Sequence, residues 1–335
     1  MDVSELDYEF RDELIAQRPA EPRDSSRLMY VGKESTQHLT FRDITGLLGE
    51  GDVLVKNKTK VVPARIEAKK VTGGRVEILL YHEREEGLWD SLVKGSGIKE
   101  GAELYAGETS LRVERHLGGG RYLLGCRDGD LLMEREGSMP TPPYIKKPLR
   151  DRDEYQTVYA REPGSVAAPT AGFHFTQDIL KELKGRGVEI HDITLHVGPG
   201  TFLPIRTERV EEHSMDSEYY VVDKDTAEGV TKANREGRRL ILVGTTTVRA
   251  MESVSRGGVV EEGKGWTDIF IYPGYRFQSG MDMFMTNFHL PRSTPLMLTC
   301  AFGGKERVLG AYGSAVRKGY RFYSFGDSML LEGKV

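Results

Sequence analysis

Three histidines in short, loop-like segments are the first candidates for chemistry. His174 lies between two phenylalanines in SVAAPTAGFHF, His196 precedes a Gly-Pro-Gly turn in LHVGPGTF, and His289 lies in MTNFHLPRSTPLML. Histidine changes its charge near neutral pH, so each ring could act as a general acid or base. A lone histidine among aromatic residues is more often a hydrogen-bonded core residue than a catalyst, and the sequence leaves both interpretations open.

Two further segments carry polar groups at the end of an apolar run. In LVGTTTVRAME, the threonines and a helix N-terminus could bind a carboxylate or phosphate, with Arg249 and Glu252 following. An ordinary capped helix would have the same residues. In YRFYSFGDSMLL, Asp327 could act in a site or only fix a turn. Glu218, in HSMDSE, belongs either to a carboxylate–imidazole group or to a solvated face.

These segments share one sequence pattern, and a β-sheet can bring them together. Each has an apolar strand or loop, then small and polar residues, then a helix or turn. From residue 151 onward strands and helices alternate, which is typical of an α/β domain. Ligands of open α/β sheets bind outside the carboxyl ends of the strands, so we expect these loops to share one pocket.

The segment from residue 61 to about 140 has a different texture. Short β-prone runs are separated by glycine or charged turns, which favours a small antiparallel barrel or sandwich. MPTPPYIKKP then has four prolines and is expected to be extended and stiff. We therefore predict an α/β main domain, formed by residues 1–60 and 150–335, with an inserted antiparallel β-barrel domain at 61–149.

Composition excludes several classes of protein. The 335 residues, 38% hydrophobic and 29% charged, suit a globular protein of roughly two domains. A net charge of −4 argues against a dedicated non-specific nucleic-acid binder. The two cysteines form no CxxC pair and HExxH is absent, so no metal is expected. Neither a signal pattern nor a membrane-spanning apolar run is present, and we expect a cytoplasmic protein, monomeric at this low net charge.

Two stretches are locally basic, KNKTKVVPARIEAKK and YIKKPLRDR. They are compatible with solvated strand edges whose lysines oppose aggregation, or with a face that follows RNA phosphates. The candidate RNA-binding residues are Lys56, Lys58, Lys60, Arg65, Lys146, Lys147 and Arg150.

A longer series of motifs is far more specific than any single one. In chain order the series is YQTVYA, SVAAPTAGFHF, TLHVGPGTF, EHSM, GTTTVRAME, FIYPGY, TNFHLPRSTPLML and YRFYSFGD, and RDSSRLM, TGGRVEILL and SMPTPPYI extend it toward the N-terminus. The series resembles the S-adenosylmethionine:tRNA ribosyltransferase-isomerase family of queuosine biosynthesis over nearly the whole chain. The fold of that family is similar to the one expected from the pattern of strands and helices, an α/β domain with an inserted β-barrel.

The resemblance implies an unusual use of S-adenosylmethionine. Its ribosyl part, not its methyl group, is transferred and isomerised onto 7-aminomethyl-7-deazaguanine at the wobble position of a tRNA with a GUN-type anticodon. The products are epoxyqueuosine in tRNA, adenine and methionine. S-adenosylmethionine is then a co-substrate, and no prosthetic group or metal is implied.

That chemistry requires a base for the carbon beside the sulfonium, an acid for departing adenine, and donors for the methionine carboxylate. The expected catalytic residues are His174, His196, His289 and Asp327, with no single base assigned. Small residues in SVAAPTAG are expected to let substrate approach the backbone, and the phenylalanines to exclude water. The expected S-adenosylmethionine-binding residues are Thr170, Gly172, Gly198, Gly200, Glu218, Thr245, Thr246, Thr247, Arg249, Glu252 and Asn287.

Two other functions remain open. A non-catalytic tRNA-binding factor would use the basic stretches and bind tRNA without consuming S-adenosylmethionine. A methyltransferase with the same co-substrate would form S-adenosylhomocysteine and usually carries a glycine-rich loop after the first strand, which we do not find near the N-terminus.

Overall fold

A computed structural model describes residues 1–202, 205 and 207–333. The strands are β1 (Arg27–Val31), β2 (Thr36–Thr40), β3 (Val53–Asn57), β4 (Thr59–Val61), β5 (Arg65–Lys70), β6 (Arg75–Glu85), β7 (Leu88–Lys94), β8 (Glu103–Ala106), β9 (Thr109–Gly118), β10 (Arg121–Gly125), β11 (Gly137–Ser138), β12 (Glu162–Ser165), β13 (Glu189–Leu195), β14 (Glu218–Val222), β15 (Leu240–Val243), β16 (Ser255–Arg256), β17 (Val259–Val260), β18 (Gly263–Thr267), β19 (Met283–Asn287) and β20 (Ser328–Glu332). The α-helices are α1 (Ile44–Leu47), α2 (Gly129–Glu136), α3 (Gln177–Gly185), α4 (Lys224–Arg235), α5 (Thr245–Ser253), α6 (Thr294–Gly303) and α7 (Lys305–Arg317).

The chain divides into two compact units. The first comprises Met1–Thr59, Pro143–Glu162 and Ala168–Val335, and the second comprises Lys60–Pro142 and Pro163–Ala167. The domain boundaries expected from the sequence, at residues 60 and 150, stay a prediction. The compact units differ from them because residues 143–149 belong to the first unit and residues 163–167 to the second.

The first unit is built on a nine-stranded mixed sheet in the order β18-β14-β13-β3-β15-β19-β20-β1-β2. Its four central strands, β13, β3, β15 and β19, are parallel. β3, β15 and β19 are buried along their whole length, which explains why VLVKN, LILV and MFMTN read as nearly continuous apolar runs. The mixed sheet with its parallel centre, together with the helices that connect its strands, confirms the predicted α/β main domain.

Local sequence signals set the helix ends around this sheet. Thr176 caps α3 by accepting a hydrogen bond from the Ile179 N–H (3.2 Å), and Asp223 caps α4 by accepting one from the Thr226 N–H (2.9 Å). Gly244 has φ of 87°. This left-handed conformation, which glycine adopts without strain, turns the chain directly from β15 into α5.

The second unit contains a closed antiparallel β-barrel. Its strands follow the order β5-β6-β7-β10-β9-β8, and β8 pairs with β5 to close the circle. Inward side chains alternate with outward ones, as in the buried Ile66 and Ala68 of β5. The inserted antiparallel barrel is thus confirmed. Within the described residues, none of the helices is both long and apolar enough to cross a membrane.

Candidate active site

The carboxyl edge of the central strands gathers most of the candidate residues. His196 directly follows β13, Asn57 ends β3, Thr245 begins the helix after β15, and Asn287 ends β19. These four strands are parallel neighbours, so their carboxyl ends meet at one edge. The topology therefore brings these strand ends to one edge, while the expectation of one shared pocket stays a prediction.

Two further strands, β20 and β1, begin at the same edge. β20 runs antiparallel to β19, with Ser328 opposite Asn287, so its amino end lies there. β1 is parallel to β20 and also begins at this edge, which places Ser26 beside it. Sequence reasoning missed Ser26, whose only signal was its place just before an apolar strand.

Asp327 is fully buried and is held by two arginines. Its carboxylate accepts hydrogen bonds from Arg27 Nε (3.1 Å) and from Arg321 Nη2 (3.0 Å), and from the backbone N–H groups of both arginines (3.1 and 2.9 Å). These contacts engage both carboxylate oxygens. In this structure Asp327 joins the ends of β1 and β20, which favours its turn-fixing role over the expected catalytic one.

His174 belongs to a buried hydrogen-bond chain. Its Nδ1 lies 2.8 Å from Ser26 Oγ, and its Nε2 lies 3.2 Å from Asn287 Nδ2. The amide orientation of Asn287 is set because its Nδ2 also donates to the Tyr323 carbonyl and its Oδ1 accepts from Thr170 Oγ1 (3.1 Å). Nε2 of His174 is therefore the acceptor, and Nδ1 carries the proton that is donated to Ser26.

Burial lowers the pKa of His174 to about 4. The imidazole is consequently neutral at pH 7, with both nitrogens engaged by protein groups. This arrangement suits a residue that orients Asn287 and Thr170 better than one that exchanges protons.

The lowered pKa makes folding stability depend on pH. An unfolded histidine titrates near pH 6.5, so between about 6.5 and 4 the unfolded chain binds more protons than the folded one. Stability is expected to be constant above this window and to fall as pH decreases through it, by up to about 1.4 kcal/mol per pH unit for His174. Thermal unfolding midpoints between pH 7 and 5 test this. His174→Gln should show a shallower decline than wild type, and equal slopes would contradict the assignment.

Gly172 makes room for the protein itself. A Cβ atom there would lie 2.0 Å from Tyr159 Oη and 2.9 Å from Thr157 Cγ2. The small residue thus allows the 170–174 turn to pack on a buried tyrosine, whereas the sequence suggested close approach of substrate. The flanking phenylalanines also pack internally, Phe173 against Phe325 and Phe175 against Phe41.

Gly172→Ala is expected to destabilise the protein by about 1–3 kcal/mol through overpacking. Tyr159→Phe removes the hydroxyl that the new methyl group would meet first. In the double variant, the loss in free energy of unfolding should be smaller than the sum of the single losses. Strictly additive losses would show that another contact limits this position.

His196 is held from the neighbouring strand. Its Nδ1 lies 2.9 Å from Thr59 Oγ1, which lies 3.4 Å from the carbonyl oxygen of Glu162. With the threonine proton directed at that carbonyl, the oxygen accepts the Nδ1 proton of the ring. This tautomer places the lone pair of His196 on Nε2.

Asn57 ties three elements of the edge together. Its Oδ1 accepts from the backbone N–H groups of Leu195 and Thr59 (both 3.1 Å), and its Nδ2 donates to the Leu195 carbonyl (2.9 Å) and to Thr246 Oγ1 (3.2 Å). Neither Asn57 nor Thr59 was identified from the sequence. The available signal was a polar pair at the end of the buried strand VLVKN.

His289 is anchored close to its own strand. Its Nε2 lies 2.7 Å from Thr286 Oγ1, while its backbone carbonyl accepts from Tyr8 Oη at 2.5 Å. Burial lowers the pKa of His289 to about 3. Like His174, it is neutral at pH 7.

Arg249 and Glu218 form a buried ion pair, with residue exposures of 6% and 3%. Arg249 also donates to the carbonyls of Ile269 and Thr267 (both 3.1 Å), and Glu218 Oε1 accepts from the Gly198 N–H (2.9 Å). The pair therefore connects α5 to the glycine loop after β13. Arg249 is not a free anion receptor in this structure.

Several other expected binding residues have protein partners. Glu252 accepts hydrogen bonds from the Gln278 N–H, the Ser279 N–H and Tyr275 Oη, and so holds the 275–279 loop. Thr247 Oγ1 donates to the carbonyl of Val243, the last residue of β15 (2.6 Å). A Cβ at Gly200 would lie 2.3 Å from a carboxylate oxygen of Asp216, so this glycine makes room for that side chain.

A solvent-open pocket with about 370 Å³ of empty space lies where α5 and α6 begin. Polar groups come from Thr245, Thr246, Thr294 and the edge of Arg249, and apolar groups come from Met215, Ile269, Phe270, Ile271, Pro295 and Leu298. The first turns of both helices offer backbone N–H donors and a favourable dipole. The combination suits a ligand with a carboxylate and a short aliphatic chain.

A smaller hollow of about 180 Å³ lies beside His174. Phe173, Phe325 and Arg23 contribute to its lining, and the Arg23 guanidinium lies 5.3 Å from the Phe173 ring centroid. No group of three or more histidine, cysteine or acidic side chains able to hold a metal ion occurs among the described residues.

The candidate RNA-binding residues occupy different environments. Lys56 is buried, pairs with Asp192 and lies 4.1 Å from the Tyr159 ring centroid, so it does not contribute to an exposed basic face. Lys58 lies 4.0 Å from Asp223. Arg65 donates to the Thr141 carbonyl and Arg150 pairs with Glu21. The remaining lysines are exposed: Lys60, Lys146 and Lys147.

The fold defines the class, an α/β protein with an inserted antiparallel β-barrel, and its candidate ligand site lies at the carboxyl edge of the main sheet. The family model described as "Queuosine biosynthesis protein" matches residues 3–331. The chain belongs to this family, as the order of its motifs indicated.

The chain is similar to several ribosyltransferases that act with S-adenosylmethionine and tRNA by name. The S-adenosylmethionine:tRNA ribosyltransferase-isomerase of Moorella thermoacetica is 50% identical over 99% of this chain and 100% of that protein. The enzyme of the same name from Rubrobacter xylanophilus is 52% identical, over 99% and 98% of the two chains. The crystal structure of S-adenosylmethionine tRNA ribosyltransferase from Thermotoga maritima matches 98% of this chain and 99% of that chain, at 39% identity and a TM-score of 0.57.

Proposed function

We propose that this chain transfers and isomerises the ribosyl part of S-adenosylmethionine onto 7-aminomethyl-7-deazaguanine at the wobble position of a GUN-anticodon tRNA. The products are epoxyqueuosine-tRNA, adenine and methionine. One observation carries this proposal. Relatives named S-adenosylmethionine:tRNA ribosyltransferase-isomerase are 50% and 52% identical to this chain, over 99% of its length and at least 98% of theirs. We place the reaction in the cytoplasm, in a monomer with S-adenosylmethionine as co-substrate and no prosthetic group.

The pocket at α5 and α6 is the proposed binding place for the methionine part of S-adenosylmethionine. Helix N-terminal N–H groups and the hydroxyls of Thr245 and Thr294 would hold the carboxylate. Met215, Phe270 and Leu298 would pack along the aliphatic chain. Arg249 contributes positive charge at the wall while remaining paired with Glu218.

His196 is the proposed acid–base residue. A base takes a proton from the carbon beside the sulfonium, and the positive sulfur stabilises the electron pair left behind. Adenine then leaves with assistance from an acid, and methionine departs after attack by the amine of the modified base. Burial lowers the pKa values of His174 and His289, whereas the His196 ring is only half-buried at the carboxyl end of β13.

A product assay tests the function. The protein is incubated with S-adenosylmethionine labelled in the ribose and with tRNA carrying 7-aminomethyl-7-deazaguanine, and the digested nucleosides are weighed. The expected result is a labelled epoxycyclopentanediol adduct together with free adenine and methionine. An unchanged nucleoside with tRNA still bound would support the non-catalytic binding factor instead, and S-adenosylhomocysteine would indicate a methyltransferase.

A further inference from the structure

A row of three aromatic rings crosses one face of the sheet and ends in an exposed tryptophan. His196 follows β13 and donates its backbone N–H to the Tyr219 carbonyl on β14 (2.9 Å), and Tyr219 lies directly opposite Trp266 on β18. Ring centroids of His196 and Tyr219 are 6.2 Å apart with planes inclined by 16°, and those of Tyr219 and Trp266 are 5.6 Å apart at 62°. Trp266 is 50% exposed.

The row occupies the face of the strands opposite α5. Side chains alternate along a strand, so Glu218 points away from Tyr219 and reaches Arg249 of α5. Lys264 lies two residues before Trp266 and shares its face, and it is exposed. A positive side chain therefore stands beside the exposed end of the row. Lys58, which precedes Thr59 in the chain, lies 4.0 Å from Asp223.

This arrangement is unusual for an edge strand that only completes a sheet. An exposed tryptophan costs solubility, and exposed edges are usually protected by charge. Here the aromatic surface runs from solvent to the histidine at the ligand edge, so anything stacked along it is led toward the proposed site.

We propose that the row formed by Trp266, Tyr219 and His196 is a stacking surface for unpaired anticodon-loop bases of tRNA. An enzyme that works on a base in a nucleic acid takes it out of its stack, which leaves neighbouring bases without stacking partners. Aromatic rings replace those partners in single-stranded RNA recognition, and lysines beside them meet the phosphates. The inference rests on the proposed function for the identity of the RNA, but its test measures binding alone.

Tryptophan fluorescence gives a direct test, because the chain has two tryptophans and Trp89 is buried at 6% exposure. Full-length protein is titrated with an anticodon stem-loop RNA carrying 7-aminomethyl-7-deazaguanine. Stacking on Trp266 should quench wild-type emission, and the Trp266→Phe variant should bind without this quenching. Trp266→Ala should weaken binding roughly 5- to 150-fold, the range found when a base loses its aromatic partner, and Trp266→Phe should weaken it less.

Two controls separate stacking from other causes. Tyr105→Ala removes another exposed aromatic side chain, on the barrel, and should leave the affinity unchanged. The salt dependence of binding should be the same for Trp266→Ala and wild type, because stacking releases no counterions.

Several results would overturn the inference. The first is that Trp266→Ala binds RNA as tightly as wild type does. The second is that Trp266→Ala loses as much affinity for S-adenosylmethionine as for RNA. The third is that the substitution changes self-association of the protein and leaves RNA affinity unchanged. The last two would assign the row to the adenine of the co-substrate or to a second copy of the chain. Failure of ribosyl transfer in the product assay, with Trp266-dependent RNA binding intact, would reject the proposed function and leave the stacking surface standing.

Discussion

Replacing His196 with glutamine is expected to lower kcat by roughly 10²- to 10⁴-fold, the usual contribution of a positioned acid–base group. The glutamine amide can donate a hydrogen bond to Thr59 Oγ1 as the imidazole does, but it does not exchange a proton near neutral pH. The His196 ring is half-buried, so the loss in thermal unfolding midpoint is expected to be small beside the loss of kcat. Single-turnover rates with saturating S-adenosylmethionine and tRNA measure the effect.

Thr59→Val provides the matched control for His196. Valine has the shape of threonine and leaves the His196 imidazole in place, but it removes the hydroxyl that lies 2.9 Å from Nδ1. The ring then loses the hydrogen bond that favours a proton on Nδ1. We expect a smaller loss of kcat than for His196→Gln, together with a displaced pH–rate profile. If His196→Gln retains most of the wild-type rate while His174→Gln, correctly folded, abolishes it, the proton-transfer role belongs to His174.

The second large effect is expected at the buried ion pair. Glu218→Ala leaves the Arg249 guanidinium buried without its carboxylate, which typically costs about 3–5 kcal/mol of unfolding free energy. It also frees the Gly198 N–H, so the loop after β13 loses an anchor. Denaturant unfolding measures the stability, and calorimetric titration measures the affinity for S-adenosylmethionine.

The double variant Glu218→Leu with Arg249→Met separates stability from function. Apolar replacement of both charges should recover much of the lost stability. Recovery should be incomplete, because the carbonyls of Thr267 and Ile269 lose their donor. Affinity for S-adenosylmethionine should remain low. Tight binding by the double variant would show that the pair lies outside the site.

An exposed pair supplies the reference for this experiment. Glu182 of α3 and Arg186, the residue directly after this helix, form an ion pair at 3.6 Å, with side chains about half exposed. Glu182→Ala is expected to cost less than about 1 kcal/mol, because solvent screens exposed pairs. A cost equal to that of Glu218→Ala would contradict the importance of burial.

The sequence by itself determined the local elements. VLVKN corresponds residue for residue to β3, TQDILKELKG is capped by Thr176 and ends as α3 at Gly185, and the regular β-prone runs became the barrel strands. These features depend on side-chain periodicity, caps and turn residues within a few positions. The gathering of the loops at one edge also followed, because parallel strands align their carboxyl ends.

Only the tertiary structure decided what each polar group does. His174 is joined to Ser26, 148 residues away, and to Asn287, 113 residues away, while Lys56 is buried against Asp192, 136 residues away. These partners were decided by strand order and register, which local periodicity does not encode. Burial then decided the chemistry: a charge removed from water must pair or be neutralised, so the same residue types became a neutral structural imidazole and a buried ion pair.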